Sequence, residues 1–123
     1  MRPSKEIDDT TLARFAKARN AVVGLTGAQD FIHDGERIAT VTNGHPLMAR
    51  VTAMGCVASA LVTSALAVEP DAWKATAAAL IVIGVAGEIG ASRAKGPGSL
   101  VPEILDAVYA LDRTTLIERA RVS

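Results

Sequence analysis

The chain has 123 residues, of which half are apolar and about a fifth are charged, and its thirteen basic residues balance thirteen acidic ones. This length suits one soluble globular domain with a buried core, and the local charge balance gives no basic patch for nucleic acid and no acidic tail for a charged partner. The single cysteine excludes an internal disulfide framework and predicts a reducing, cytoplasmic location.

The N-terminal part predicts a helix. Met1–Glu6 has no apolar core, so it is not expected to be a signal peptide. Asp8 or Asp9 can cap a helix that ends at Asn20. The apolar residues of this helix share one face at helical spacing: Leu12, Phe15 and Ala16.

Strands are predicted next. Ala21–Leu25 has the composition of a buried strand. Residues 31–33 and 37–42 then flank the dipeptide Asp34-Gly35, which is typical of a tight turn, and together they predict a β-hairpin that stops before Pro46.

Two long apolar segments follow. Val51–Val68 has eighteen uncharged residues, and Ala75–Gly87 has thirteen more. A membrane hairpin is one interpretation, but the first segment contains several hydroxyl side chains and the second falls short of the ~20 residues that cross a bilayer. We therefore expect two helices, one from Gly55 to about Val68 and one from Asp71 to about Ala94, that are buried on most sides.

The C-terminal part predicts two more helices after a break at Gly96-Pro97-Gly98. Ser99 can cap the first, and Thr115 with Glu118 can form a capping box for the second. The apolar residues of the first recur at helical spacing: Leu100, Ile104, Val108 and Leu111. The element order therefore predicts an α/β chain with one or two core strands and a β-hairpin, followed by a mostly helical half.

The most informative segment runs from Asn43 to Cys56, because it ends in Gly55-Cys56 where an apolar helix is predicted to begin. A helix start presents unpaired backbone N–H groups that bind anions and favour a thiolate. A small buried packing residue is the structural alternative for Cys56. Thr26 follows a predicted strand, where α/β proteins bind ligands, although a plain strand-to-turn junction has the same pattern.

The other polar and aromatic candidates have simpler explanations. His33 and His45 have no second ligand at metal-binding spacing, so they are expected to serve turns, and no metal ligand is assigned. Trp73 is expected to be a packing anchor.

Five segments of this sequence resemble the hydroxyethylthiazole kinase family of the ribokinase-like superfamily. They are Leu25–Gly27, Asn43–Leu47, Gly55-Cys56, Ala86–Glu88 and Lys95–Ser99. The resemblance runs from about Ala21 to the C-terminus. It implies that residues 1–123 form a single partial domain, the C-terminal half of a ribokinase-like αβα sandwich.

The resemblance also implies roles for four residues. Cys56 matches the family's catalytic cysteine, Thr26 matches a threonine that contacts ATP, and Ala53 with Gly55 falls in the family's substrate-binding Gly-Thr-Gly-Cys motif. Here that motif is Ala53-Met54-Gly55-Cys56. Where the family backbone needs a positive φ, Ala53 adds strain of about 1 kcal/mol.

The implied activity is ATP-dependent phosphorylation of 4-methyl-5-(2-hydroxyethyl)thiazole in thiamine biosynthesis or salvage. ATP and Mg²⁺ would be required, with the Mg²⁺ ligands supplied by an N-terminal half that has no counterpart here. The alternative is an inactive remnant or accessory module that binds nucleotide weakly or only associates with partner chains. Because the family is trimeric, a homo-oligomer is expected, as is a complementary N-terminal half; nucleic acid and membrane are not expected partners.

Overall fold

Three short strands and five α-helices make up the part of the chain that the structure describes, residues 8–123 of a computed structural model. Met1–Glu6, for which no signal peptide is predicted, lies outside it. The elements are α1 (Asp9–Arg19), β1 (Val23–Leu25), β2 (Asp30–His33), β3 (Ile38–Val41), a 3₁₀ helix (Pro46–Arg50), α2 (Met54–Leu66), α3 (Ala72–Arg93), α4 (Pro97–Ala110) and α5 (Arg113–Arg119). The predicted α/β class, with a small sheet before a mostly helical half, is confirmed.

The first helix begins and ends where its sequence predicts. The carboxylate of Asp8 accepts a hydrogen bond from the backbone N–H of Thr11 at 2.8 Å, as an N-cap residue does. Asn20 ends the helix in the left-handed conformation, with φ of 47°. On the inner face, Leu12 and Ala16 are buried.

The sheet is antiparallel, with strand order β1-β2-β3. Ile32 pairs with Gly24 on one side and Ala39 on the other, and a methyl group on Gly24 would meet the side chain of Thr76 in α3. This face of the sheet therefore packs on α3. The prediction that β1 is buried is wrong, because among residues 8–123 it is an edge strand paired on one side only, and its residues are half-buried or exposed.

The long helix α3 forms the centre of the core. It packs against α2, α4, β2 and β3, and about half of its residues are buried. Within residues 8–123 it is the one helix long and apolar enough to cross a membrane, but most of its apolar stretch is covered by these neighbours. Its position is therefore that of a core helix.

The helix α2 differs from its prediction. It begins one residue earlier than expected, at Met54, and only Ala58 is buried. The expectation that this helix is buried on most sides is wrong within the described chain, because only one of its faces packs on α3. Leu66 is among the side chains that α2 leaves exposed.

Two glycines of α3 allow the segment after β3 to lie directly on the helix. A Cβ atom at Gly84 would lie 2.6 Å from the Cβ of Asn43, and one at Gly87 would overlap the sulfur of Met48. At Gly84 the clash would involve the backbone of Asn43, so glycine is required there for this close approach, whereas a side chain at Gly87 would displace the flexible side chain of Met48.

The two C-terminal helices start earlier than predicted. Helix α4 begins at Pro97, directly after Gly96, and the hydroxyl of Ser99 accepts a hydrogen bond from the backbone N–H of Lys95 instead of capping the helix. Proline fits this first position because its missing N–H would have no partner there. The apolar face predicted for α4 is correct, since Leu100 and Ile104 are buried.

Helix α5 is capped by a different residue from the one expected. Asp112 caps it by accepting from the Thr115 N–H at 2.8 Å, so the capping box predicted from Thr115 and Glu118 is wrong. The aspartate lies at the position from which a side chain reaches the third N–H of the helix.

The hairpin turn is tied to the start of α3 through Arg37. Its guanidinium donates to Asp34 at 2.7 Å and in bidentate fashion to Asp71, the N-cap of α3, at 2.8 and 3.0 Å. It also lies 4.7 Å from the ring centre of Trp73, whose indole N–H donates to the carbonyl of Ile32. Trp73 is therefore the packing anchor that its sequence context predicts.

Hydrogen bonds from the Arg37 and Glu36 backbone N–H groups, with the Arg37 guanidinium, lower the pKa of Asp34 to about 2. A folded-state pKa below that of the unfolded chain stabilises the fold above pH ~4. That stabilisation is lost as the pH falls from ~4 through 2.

We therefore predict that Asp34→Asn lowers the free energy of unfolding at pH 7, and that the difference from the parent shrinks between pH 4 and pH 2. Urea denaturation across this range measures it. Glu36→Gln is the matched control, because this carboxylate lies in the same turn and accepts none of these hydrogen bonds. A difference that does not depend on pH would contradict the prediction.

Candidate functional site

A cavity of about 570 Å³ lies between the residues that follow β1, the segment between β3 and α2, the start of α2 and the middle of α3. Its size is within the range of small-molecule sites. It is lined by Thr26, Gly27, Ala28, Asp30, Asn43, Gly44, His45, Pro46, Met48, Ala49, Val51, Ala53, Met54, Gly55, Ala58, Leu80, Ile83 and Gly84.

The first wall is the turn from Thr26 to Asp30. Thr26 follows the last residue of β1 and is exposed. The Asp30 carboxylate accepts a hydrogen bond from the Gly27 N–H at 3.0 Å and so fixes the turn. Burial raises the pKa of Asp30, against the smaller effect of this hydrogen bond.

The second wall is the segment from Asn43 to Met48. His45 caps the 3₁₀ helix by accepting from the Leu47 N–H at 3.1 Å, and His33 accepts from the Gly35 N–H at 2.9 Å in the hairpin turn. Both histidines therefore serve turns, as predicted. The segment is held against α3 by Glu88, whose carboxylate accepts from the Gly44 N–H and the Asn43 amide at 3.0 and 3.1 Å.

The third wall is the start of α2. Ala53 precedes the helix in the left-handed conformation, with φ of 74°, and no side chain caps the first turn. A Cβ atom at Gly55 would meet nothing within 4 Å, so the backbone there is open to a ligand. The uncapped N–H groups of this turn and the positive end of the helix dipole favour an anion.

The structure thus brings three of the four predicted site residues together on one cavity: Thr26, Ala53 and Gly55. Cys56 follows Gly55 directly but does not line the cavity, and its side chain is exposed. The structural alternative for Cys56, a small buried packing residue, is therefore wrong within the described chain. The Lys95–Ser99 segment, which includes the first residues of α4, lies outside the cavity lining.

Sequence reasoning missed Asp30, Asn43 and Glu88 as residues that shape the site. Asn43 and Glu88 lie in segments that carry the family resemblance, but they are forty-five positions apart and only the fold joins them. Asp30 gave a weaker signal, as a carboxylate at the start of an apolar strand.

Residues 8–123 contain no group of three or more His, Cys, Asp or Glu side chains placed to hold a metal ion. Asp30 is the one carboxylate in the cavity lining. Mg²⁺ is usually bound by one or two carboxylates together with substrate phosphates, so these residues supply at most part of such a site.

The comparisons with known proteins all point to one family. The model of the hydroxyethylthiazole kinase family matches residues 4–114. A hydroxyethylthiazole kinase of Granulibacter bethesdensis is 50% identical over 106 residues, which are 86% of this chain and 39% of that protein. One of Zea mays is 45% identical over 109 residues, which are 88% of this chain and 39% of that protein.

The fold gives the same result. The structure of a hydroxyethylthiazole kinase protein from Pyrococcus horikoshii matches with a TM-score of 0.89 and 36% identity, covering 93% of this chain and 44% of that one. The chain thus spans less than half the length of the relatives it matches. With a family match over most of its length and a shared fold, this chain belongs to the hydroxyethylthiazole kinase family.

Proposed function

We propose that residues 1–123 are a single partial domain that supplies the C-terminal part of a hydroxyethylthiazole kinase active site. In the completed enzyme, ATP would phosphorylate the hydroxyethyl group of 4-methyl-5-(2-hydroxyethyl)thiazole in thiamine biosynthesis or salvage. The observation that carries this proposal is the cavity that joins Thr26 with Ala53 and Gly55.

The walls of the cavity suit the two substrates differently. The Thr26 hydroxyl, at the end of a strand, is proposed to contact ATP, and Ala53 with the open backbone at Gly55 is proposed to contact the thiazole substrate. The first turn of α2 would stabilise negative charge on the transferred phosphoryl group, since its N–H groups carry no side-chain cap.

Cys56 is proposed as the general base. Its thiolate would take the proton of the substrate hydroxyl as the hydroxyl oxygen attacks the γ-phosphorus, and the bond from that phosphorus to the departing ADP oxygen would break. Cys56 is exposed beside the cavity in this chain. The N-terminal part of the completed enzyme is proposed to cover it and so to exclude water from the reaction.

Mg²⁺ would neutralise charge on the ATP phosphates when it is bound. Asp30 is the one carboxylate that lines the cavity in the described chain, so it is the residue here that could bind the ion. The remaining ligands are proposed to come from the N-terminal part of the completed enzyme.

Two surfaces are suited to that N-terminal part. The outer edge of β1 has no strand paired to it among residues 8–123, and an open strand edge is a template for a further strand. Beside the cavity, α2 leaves all but one of its residues unburied although most of them are small or apolar. We propose that strands and helices of the N-terminal part cover both surfaces.

A homo-oligomer in the cytoplasm is proposed for the completed enzyme, by analogy with the trimeric family. Leu105 and Tyr109 of α4 are large side chains that the described part of the chain leaves exposed. They are available for contacts between subunits.

The proposal predicts that mixing this chain with the N-terminal part of a family member restores turnover. Phosphorylated thiazole would be measured from hydroxyethylthiazole and MgATP, with each part alone as a control. Each part alone is expected to be inactive, because phosphoryl transfer needs groups from both. Nucleotide binding without turnover in a well-folded complex would favour the alternative of an accessory module.

In the reconstituted enzyme, Cys56→Ala is expected to lower kcat by about 10²- to 10⁴-fold, the usual contribution of a general base. The melting temperature should change little because the side chain is exposed. Ser59→Ala, also exposed on α2, is the matched control. An unchanged kcat would show that Cys56 is not the base.

Ala53→Gly is expected to stabilise the isolated chain by about 0.5–1 kcal/mol, because relief of left-handed strain exceeds the entropic cost of glycine. Ala60→Gly, at an exposed position inside α2, should instead destabilise by about 1 kcal/mol. Urea denaturation of the parent and of each variant measures these changes in the free energy of unfolding.

Adding Met54→Thr to Ala53→Gly is expected to raise activity in the reconstituted enzyme, because both changes open the cavity wall at the start of α2. Equal activity would show that the loop tolerates its side chains.

A further inference from the structure

Residues 119–123, here called the strap, are the last residue of α5 and the segment that follows it, and residues 121–123 run antiparallel to β3 along its outer edge. The Thr40 N–H donates to the Ser123 carbonyl at 2.8 Å, the Ser123 N–H donates back at 3.0 Å, and the Thr42 N–H donates to the Arg121 carbonyl at 3.0 Å. Val41 and Val122 form a β-bridge. The strap therefore closes the edge of the sheet that lies next to the cavity wall.

The pairing continues beyond the strand through the side chain of Asn43. Its amide oxygen accepts from the Arg121 N–H at 2.6 Å, and its amide nitrogen donates to the Arg119 carbonyl at 2.8 Å. Asn43 is buried, and a buried amide that loses its partners carries the full cost of desolvation. The strap and Asn43 therefore depend on each other.

Glu88 of α3 joins the strap to the cavity wall. One oxygen of its carboxylate accepts from the Arg121 guanidinium, the Asn43 amide and the Gly44 N–H. Burial opposes ionisation of Glu88, but the hydrogen bonds from Gly44, Asn43 and Arg121 outweigh it and lower its pKa. A single carboxylate thus joins Asn43 and Gly44 to Arg121, which lies far from them in the sequence.

These contacts lie behind a wall of the cavity. Asn43, Gly44, His45 and Met48 all line it, whereas Glu88 and Arg121 do not. The backbone of Asn43 also rests on Gly84 without room for a methyl group. The wall can therefore hold its shape only while Asn43 and Gly44 stay against α3.

We propose that Asn43, Glu88 and Arg121 are positioning residues through which the strap fixes the 43–48 wall of the cavity and so sets its affinity for substrate. The effect of the strap on substrate affinity rests on the proposed function, whereas its effect on the shape of the wall does not. The strap acts through charge and hydrogen bonds, and none of its own side chains lines the cavity.

Amide hydrogen exchange of the full chain tests the effect on the wall. In Arg121→Ala, exchange at Gly44 is expected to be about five- to tenfold faster, since a charged hydrogen-bond partner of Glu88 is lost. Arg121→Lys should restore exchange to within about twofold of the parent. Arg119→Ala is the matched control, because this exposed side chain forms no ion pair with any residue in 8–123.

Exchange at Ile83 and Val85, in the buried part of α3, should stay within about twofold in every variant. Unchanged exchange at Gly44 in Arg121→Ala would overturn the proposal. Equal acceleration at Gly44, Ile83 and Val85 would also overturn it, since it would mean global destabilisation.

Kinetics of the reconstituted enzyme test the effect on substrate. Arg121→Ala should raise KM for hydroxyethylthiazole several-fold with kcat within about twofold, and Arg121→Lys should recover most of the loss. An unchanged KM would overturn the assignment of substrate positioning. If no reconstituted mixture turns over, the proposed function fails, while the exchange data still decide whether the strap fixes the wall.

Discussion

The close contact between α3 and the segment after β3 is the constraint on which the rest of the structure depends. Gly84 lets the backbone of Asn43 approach α3 to a distance that no side chain would allow, and Gly87 leaves the space that the Met48 side chain fills. The same helix packs on the sheet with another part of its surface and on α2 and α4 with the remainder. A cavity wall, the sheet and the helical half are therefore all positioned by one buried helix.

Polar contacts then fix what apolar packing leaves free. Dispersion and burial hold α3 in the core, but they do not specify the shape of a loop that lies on it. At one end of α3, Asp71 and Trp73 bind the hairpin through Arg37, and at the other, Glu88 binds Asn43 and Gly44. Such satisfied networks specify one arrangement because each member would be costly to leave unpaired.

Much of the fold was predictable because local signals agree with it. The cap at Asp8, the Asp34-Gly35 turn and the apolar face with Leu100 and Ile104 depend on neighbouring residues. Ser99 was wrongly placed as a cap because serine also forms other short-range hydrogen bonds near helix ends. Thr115 was wrongly placed because Asp112, three residues earlier, caps the helix instead. The burial of β1 and α2 was overestimated, since composition reports how apolar a segment is and not which neighbours cover it.

By itself, the sequence determined the class of the chain, the order of its elements and the motifs at Thr26 and at Ala53–Cys56, because each depends on residues close together in the chain. Only the tertiary structure decided that Thr26, Ala53 and Gly55 share a cavity while Cys56 lies beside it. It alone also joined Asn43, Glu88 and Arg121. The physical reason is that contacts between distant residues arise from packing of whole elements, which local patterns do not encode.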